Sequence, residues 1–400
     1  MRGSIRNIFE RHSYDLRDKF YDDRAAGASH GTPATDGVRE RTNVDTDSKL
    51  TQSNGKLNLA PHSTPGYGNP GRWYPAQARV AGKVAIARIT TPADYITIGS
   101  VGWDTNQNGS FADSSVLLFY STLSPDGAGV SLVVAPYAAS TVYDIAVILR
   151  APAGAFYLIR GGIYAAWTLA WLNTIRAAAN VYPGIITNSA TFTADEIGIR
   201  TTRWLPTPLL SDGFGGTFGT SDGLGHAEGV TGGLGSGGGG VAWTAQIGTW
   251  ANAAGVCGAT ALAGGIAIAT AETTKADVLH SAKCTRSAGN VGVVVRYADA
   301  DNYVYAIHNG TNALLVKRVA TVETTLINAA ATYAAGAVLR VIPDGTSFDL
   351  FYNNAKIGTT QTISDAALQT GTAHGLYSSN VGNTFDDAVT HKRSGHDVPA

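Results

Sequence analysis

Charge is scarce in this sequence. Asp, Glu, Lys and Arg make up only 15% of its 400 residues, where a soluble domain usually carries about 25%. The 29 basic and 30 acidic residues leave a net charge of −1, which excludes a general nucleic-acid binder, because such a protein needs a basic excess to neutralise phosphates. Glutamate is scarcer still. There are six, Glu10, Glu40, Glu196, Glu228, Glu272 and Glu323, and no two lie within 25 residues of each other. A retaining glycosidase holds two carboxyl groups about 5 Å apart across one glycosidic bond, and no strand of this chain can supply both. The nine histidines form no HExxH pattern, so metal hydrolysis is not indicated. No apolar run approaches the roughly 20 residues of a membrane span, and Met1 to Phe20 carries charges where a signal peptide needs its apolar stretch. Neither membrane insertion nor ordinary secretion is expected.

Glycine, in contrast, is abundant at 48 residues. Together with Asn, Asp and Pro it punctuates the chain every 8 to 15 residues. Between these marks lie short runs rich in Val, Ile, Thr, Tyr and Phe, such as 83–89, 143–149, 155–160, 290–297, 303–308, 314–319 and 347–352. This is the pattern of an all-β sandwich or barrel. Asn309-Gly310, Asp344-Gly345 and Gly161-Gly162 supply the positive φ of tight hairpins. Two segments compete for helix. Residues 4–24 read as an amphipathic helix or an arm, and 166–181 reads better as a strand through 167–172 followed by a loop.

An internal repeat organises the whole. Thr141–Arg150, Phe156–Gly162 and Pro183–Phe192 with Asp195 recur in order as Tyr333–Arg340, Phe348–Asn354 and His374–Phe385 with Asp386 and Asp387. The openings match as well, Arg17-Asp-Lys-Phe20 against Ser211-Asp-Gly-Phe214. These boundaries predict an N-terminal arm at 1–16, a first domain at 17–204, a Pro-containing connector at 205–210, a second domain at 211–394 and a tail at 395–400. Each half runs from an Asp-x-Phe opening through a Trp-containing region to an Arg-terminated strand, a Phe-rich hairpin and a closing Phe-Asp strand. That order resembles the concanavalin A-like lectin, glucanase and laminin-G jelly rolls, which implies two tandem jelly-roll β-sandwiches whose first and last strands pair. Asp18-Lys-Phe20, Arg24-Ala-Ala-Gly27 and Ser221–Gly229 also resemble repetitive β-proteins of tailed bacteriophages.

Three constellations invite chemistry. Asp104, Asn106 and Asn108 stand at alternate positions before Gly109, with Asp113 beyond, as in the first half of a calcium loop; Ser115 replaces the bidentate Glu. The alternative there is a plain Asn-Gly hairpin loop, and no other cofactor is called for. Tyr67, Trp73 and Tyr74 in a Gly/Pro-rich loop are the aromatics placed best to stack on a sugar, although a jelly-roll Trp more often packs in the core. Cys257 and Cys284, 27 residues apart, fall on neighbouring strand segments and fit either a cross-strand disulfide or two buried thiols. The glycine tract around Gly233–Gly237 lacks the Lys-Ser/Thr and helix of a phosphate loop and reads as an ordinary loop.

A fold suited to exposure without a secretion signal, together with the bacteriophage resemblance, implies a non-enzymatic structural or adhesion protein of a virion: a tail fibre, receptor-binding or capsid-decorating component. Its expected partners are copies of itself, other virion proteins and a cell-surface glycan. A secreted carbohydrate-binding protein and a self-assembling extracellular filament subunit are the rival readings.

Overall fold

Alternation decides how each strand divides its side chains. In Asn302–His308, Val304 and Ala306 enter the interior, while Tyr303, Tyr305 and Ile307 join a separate cluster on the other face. The computed structural model describes residues 16–18, 20, 42–44 and 49–396, apart from 61–69, 94–98, 105–114, 121, 126–136, 151–152, 173–179, 188–190, 202–205, 207, 213, 215–241 and 254. Among the described residues the chain is almost wholly antiparallel strand, with one short helix at Ala366–Gln369. It divides into two compact units, Met1–Leu205 with Gly395–Ala400, and Pro206–Ser394.

Each unit is a sandwich of two sheets. The sheet that carries the Asp-x-Phe opening, in the first unit, runs in the order Tyr164–Leu172, Ala155–Gly161, Val142–Leu149, Lys83–Thr90, Phe192–Thr201, Lys56–Leu59, Leu50–Ser53. In the second unit the same sheet runs Ala355–Thr362, Ser347–Tyr352, Ala337–Asp344, Val278–Thr285, Thr384–Lys392, Val256–Ala261, Thr249–Ala253. The two orders correspond strand for strand. In both, the opening strand pairs with the closing one: Asp18 lies opposite Ile197, and Asp212 opposite Ala388. The facing sheet is centred on Asn180–Thr187 in the first unit and on Val291–Asp299 beside Ala373–Ser378 in the second. The second unit's core lies between its sheets, where Val293, Val295 and Leu315 meet Leu339, Val341 and Leu350.

The Asp-x-Phe opening is a buried clasp, built the same way twice. Asp18 accepts the Phe20 N–H at 3.3 Å and the Tyr74 hydroxyl at 2.8 Å. Asp212 accepts the Phe214 N–H at 2.8 Å and the Trp243 Nε1–H at 2.8 Å. Both phenylalanines hold positive φ, 54° and 50°, a conformation unusual for a bulky residue that the clasp stabilises. A second shared feature is a glycine with no room for a side chain. A Cβ at Gly184 would lie 1.9 Å from Trp73 Cε3, and one at Gly375 would lie 1.9 Å from the Ala269 carbonyl oxygen.

Several expectations are corrected. Residues 16–18 are strand, so the helical reading of 4–24 fails there. Leu210 already belongs to the opening strand of the second unit, with the Leu209 N–H donating to the Thr390 carbonyl at 2.6 Å. Gly395 and His396, from the expected C-terminal tail, group with the first unit, where the His396 N–H donates to the Trp167 carbonyl at 3.2 Å. The strand through 167–172 forms as expected within Tyr164–Leu172.

Cys257 and Cys284 are both free and buried. Each lies opposite Phe385, one on either side of the closing strand. Two inter-strand steps, about 9.6 Å, separate them, beyond the roughly 7 Å that a disulfide can span. Burial pushes the Cys284 thiol up to about 12.

The clasp is directly testable. Replacing Asp212 by Ala leaves the buried Trp243 and Phe214 donors without their acceptor, so urea denaturation should show a loss of about 2–4 kcal/mol. Asp212→Asn, which keeps one acceptor oxygen, should lose less.

Candidate binding rim of the second unit

The aromatics placed for sugar contact do not offer faces to solvent. Trp73 and Tyr74 are fully buried: the first is wedged against Gly184, the second held by the Asp18 carboxylate. Tyr67 lies outside the described residues, as do Asn106, Asn108 and Asp113 of the calcium loop. Asp104 is described, buried at the end of Gly99–Asp104 opposite Tyr182. Among the described residues no group of three or more His, Cys, Asp or Glu is placed to hold a metal ion. A different aromatic group was missed by sequence reasoning, the row formed by Tyr297, Tyr303, Tyr305 and Tyr377, whose rings follow one another at centroid distances of 5.6, 5.6 and 4.7 Å. These rings are only 0–7% exposed, and burial raises the Tyr303 hydroxyl to about 12. They pack; they do not form an open platform.

Two buried carboxylates of the first unit, Glu196 and Asp144, lie in a ladder of alternating charge. Glu196, Arg88, Asp144 and Arg160 lie opposite one another in turn across four strands, alternating in sign. Arg88 grips Asp144 through Nε at 2.8 Å and Nη2 at 3.1 Å, and Arg160 adds Nη2 at 2.7 Å. Arg88 is held above its ordinary value, chiefly by its hydrogen bond to Asp144. Each residue of this ladder is visible in the sequence, but the register that aligns them is not.

Three histidines of the second unit, His280, His308 and His374, follow one rule. A carbonyl can only accept and a backbone N–H can only donate, so the partners assign each tautomer. His280 donates from Nε2 to the Gly375 carbonyl (2.9 Å), and its Nδ1 accepts from the Thr390 hydroxyl (2.8 Å). His374 donates from Nε2 to the Lys275 carbonyl (2.8 Å) and accepts the Arg296 N–H at Nδ1 (3.2 Å). His308 donates to the Ala331 carbonyl (3.0 Å) and accepts the Gly310 N–H (3.0 Å). All three are therefore neutral Nε2–H rings. Desolvation lowers His280 to about 4 and His374 to about 3, the latter also repelled by His280 and Arg296.

The strand registers sort the loops of this unit to two ends. At one end lie Glu272, Asp277, Asp299, Asp301, Asp344 and Asp365 among several cations: Asp277 pairs with the buried Arg296, Asp365 with Lys317 and Asp344 with Arg393. Arg296 donates to Asp277, to the Gly345 and Ala276 carbonyls and to Gln369, and its guanidinium rests 4.8 Å from the Phe348 ring centre. At the other end the loops 262–266, 286–290, 309–311, 331–336, 353–354 and 379–383 contain a single charged residue, Arg286. These loops are knitted together. Asn383 accepts the Ser287 N–H at 2.8 Å and donates to the Asn290 carbonyl at 2.9 Å. The Tyr333 hydroxyl accepts the Arg286 N–H at 2.6 Å and donates to the Arg286 carbonyl at 3.3 Å.

Arg286 is oriented on this rim. Its Nε donates to the Gly289 carbonyl at 2.6 Å. Its guanidinium lies against Gly310, whose φ is +107° and where a Cβ would come within 2.9 Å of Cζ and Nη1. Nη1 and Nη2 have no hydrogen-bond partner among the described residues, and the side chain is part-exposed, with Ser287, Ala288, Gly289 and Thr311 exposed around it. The only sequence signal for this arrangement is the dearth of other charge in the loops beside it.

No family profile and no curated protein matches the chain. Among solved structures it is similar to the carbohydrate-binding module CBM66 from Bacillus subtilis, at 16% identity over 38% of this chain and 94% of that one, with a TM-score of 0.30. It is similar to SCLam, a non-specific endo-β-1,3(4)-glucanase of family GH16, at 9% identity over 49% and 93%, TM-score 0.29. It is also similar to domains LG4-5 of the mouse laminin α1 chain, at 12% identity over 78% and 83%, TM-score 0.21.

The neutral histidines set a pH dependence. Unfolded, each titrates near 6.5; folded, His280 does so at about 4 and His374 at about 3. Between these values the unfolded chain binds more protons, so stability falls as pH drops below about 6.5, by at most about 1.4 kcal/mol per pH unit per histidine. Chemical denaturation of the wild-type protein and of His374→Gln between pH 7 and pH 4 should show a shallower acid slope in the variant.

Proposed function

We propose that the chain is a non-enzymatic structural or adhesion protein, built from two lectin-like β-sandwich modules and acting through its surfaces within a bacteriophage particle. The observation that carries the reading is that, among the described residues, several buried groups able to do acid–base chemistry are tied into structure. Asp18 and Asp212 clasp the opening strands, Asp144 sits between two arginines, and His280, His308 and His374 use both ring nitrogens on neighbouring polar groups. An imidazole whose two ring nitrogens are both engaged has neither lone pair nor proton left for a substrate, and the buried carboxylates named here are held by donors of the fold. The bacteriophage setting rests on the resemblance of Asp18-Lys-Phe20, Arg24-Ala-Ala-Gly27 and Ser221–Gly229 to tailed-phage β-proteins.

Glycan recognition belongs to this role, because adhesion to a cell begins at its carbohydrate coat, and the rim around Arg286 offers amides, hydroxyls and one oriented cation to such a partner. The named solved structures include a carbohydrate-binding module, which suits this reading without deciding it.

Mass spectrometry of purified virions should find the chain as a stoichiometric component. Light scattering after size exclusion should give an oligomer, and a glycan array should give binding without hydrolysis. A monodisperse monomer that binds glycans and is missing from particles would transfer the protein to the secreted lectins. Release of reducing ends from any bound glycan would refute the non-enzymatic assignment.

A further inference from the structure

We propose that the Arg286 rim is a binding site for the carboxylate of an acidic saccharide, a hexuronate or a similar sugar acid. The inference rests on the adhesion reading above and names the ligand class of that surface.

Three features of the rim point the same way. The first is isolation of charge. Arg286 is the single charged residue in six described loops at its end of the second unit, while at the opposite end the cations are paired with carboxylates, Arg296 with Asp277, Lys317 with Asp365 and Arg393 with Asp344. A negative ligand group meets ion-paired charges at one end and, in the loops beside Arg286, a cation with no carboxylate among them. The second is orientation. Nε is occupied by the Gly289 carbonyl, and the guanidinium plane is laid against the backbone of Gly310. Little side-chain freedom remains to be lost on binding, and the Nη1 and Nη2 groups make the planar fork that fits a carboxylate with two parallel hydrogen bonds. The third is support. The Arg286 main chain is gripped on both sides by the Tyr333 hydroxyl, and the Gly310 turn is fixed by His308, whose Nδ1 accepts the Gly310 N–H. The Gly310 backbone is thereby positioned for the guanidinium before any ligand arrives.

The surroundings choose a sugar acid over a bare anion. Asn309 uses its Oδ1 on the Thr311 and Asn312 N–H groups, and Asn380 uses its Oδ1 on the Gly382 N–H. No bond from the Nδ2 of either residue is formed among the described residues. These amide donors and the exposed Thr311 hydroxyl on neighbouring loops match the closely spaced hydroxyls of a saccharide. At Gly310 a glycine is required twice over, for its positive φ and because any Cβ would displace the guanidinium.

The test measures binding of an oligogalacturonate and of its methyl ester to the intact wild-type protein by titration calorimetry. We expect the ester, which keeps every hydroxyl but has no charge, to bind at least 10-fold more weakly. Arg286→Ala should lose at least 10-fold for the acid and nothing for the ester, Arg286→Lys should fall between, and added salt should weaken only the acid. An unchanged thermal midpoint in Arg286→Lys confirms that the rim is intact. Equal binding of acid and ester overturns the carboxylate assignment while leaving glycan adhesion standing. Binding of poly-glutamate as tight as that of the oligogalacturonate overturns the saccharide class. If neither these probes nor any array glycan binds, this inference and the glycan part of the proposed function fall together.

Discussion

Where Val291–Asp299 carries extra residues against Ala373–Ser378, the sheet's hydrogen-bond ladder breaks in the middle of a dry sandwich. Backbone donors and acceptors released there cannot reach water, and each would cost about 1–3 kcal/mol if left unpaired. Two histidines close the gap. His374 takes the Arg296 N–H that has turned away from the ladder, and His280 reaches from the opposite sheet to the Gly375 carbonyl. Both must be uncharged, since a proton on His374 Nδ1 would face the Arg296 N–H directly. Arg296 within the bulge holds φ +48°, and its guanidinium binds Asp277, Gln369 and the Gly345 carbonyl. The registry of the two sheets and the arrangement of that loop end thus depend on two imidazoles staying neutral.

The two units answer one set of physical demands with different residues. The opening aspartate needs a long-reaching donor from the facing sheet: a Tyr hydroxyl serves in one unit and a Trp indole in the other. The corresponding pairs Pro183-Gly184 and His374-Gly375 both place glycine where the neighbouring strand comes closest. What precedes that glycine differs, and with it the chemistry of the break. Conserved geometry with exchanged donors is how a duplicated sandwich can drift in sequence while its strand order stays the same.

Much of the fold was legible because it depends on local patterns. Alternating Val, Ile and Tyr marked the strands, Asn-Gly and Asp-Gly marked the hairpins, and the Asp-x-Phe openings signalled that first and last strands pair. Site residues were less legible, for a definite reason. Trp73 and Tyr74 sit among Gly and Pro, which in a sequence reads as an exposed loop, yet the short strand Gly71–Trp73 is covered on every side. Cys257 and Cys284 were each placed near strands, but only the sheet order reveals Phe385 between them. Register and sheet order are non-local quantities. They also conceal the ladder of Glu196, Arg88, Asp144 and Arg160, whose members span more than a hundred residues of chain.

Scarcity of charge acquires its meaning from that same non-local sorting. A chain with few ionisable groups could scatter them evenly, and then no surface would carry a field of its own. Here the second unit pairs most of its described carboxylates with cations outside six loops at one end, and in those loops Arg286 is the single charged residue. In a densely charged surface the same Arg would be paired by a neighbour or lost among like charges, and its worth to a ligand would shrink to that of an exposed ion pair. Isolation among Asn, Ser, Thr and Gly keeps it uncompensated while the Gly289 carbonyl and the Gly310 backbone keep it still. The low charge of the sequence is therefore what allows one residue to act as a selective feature.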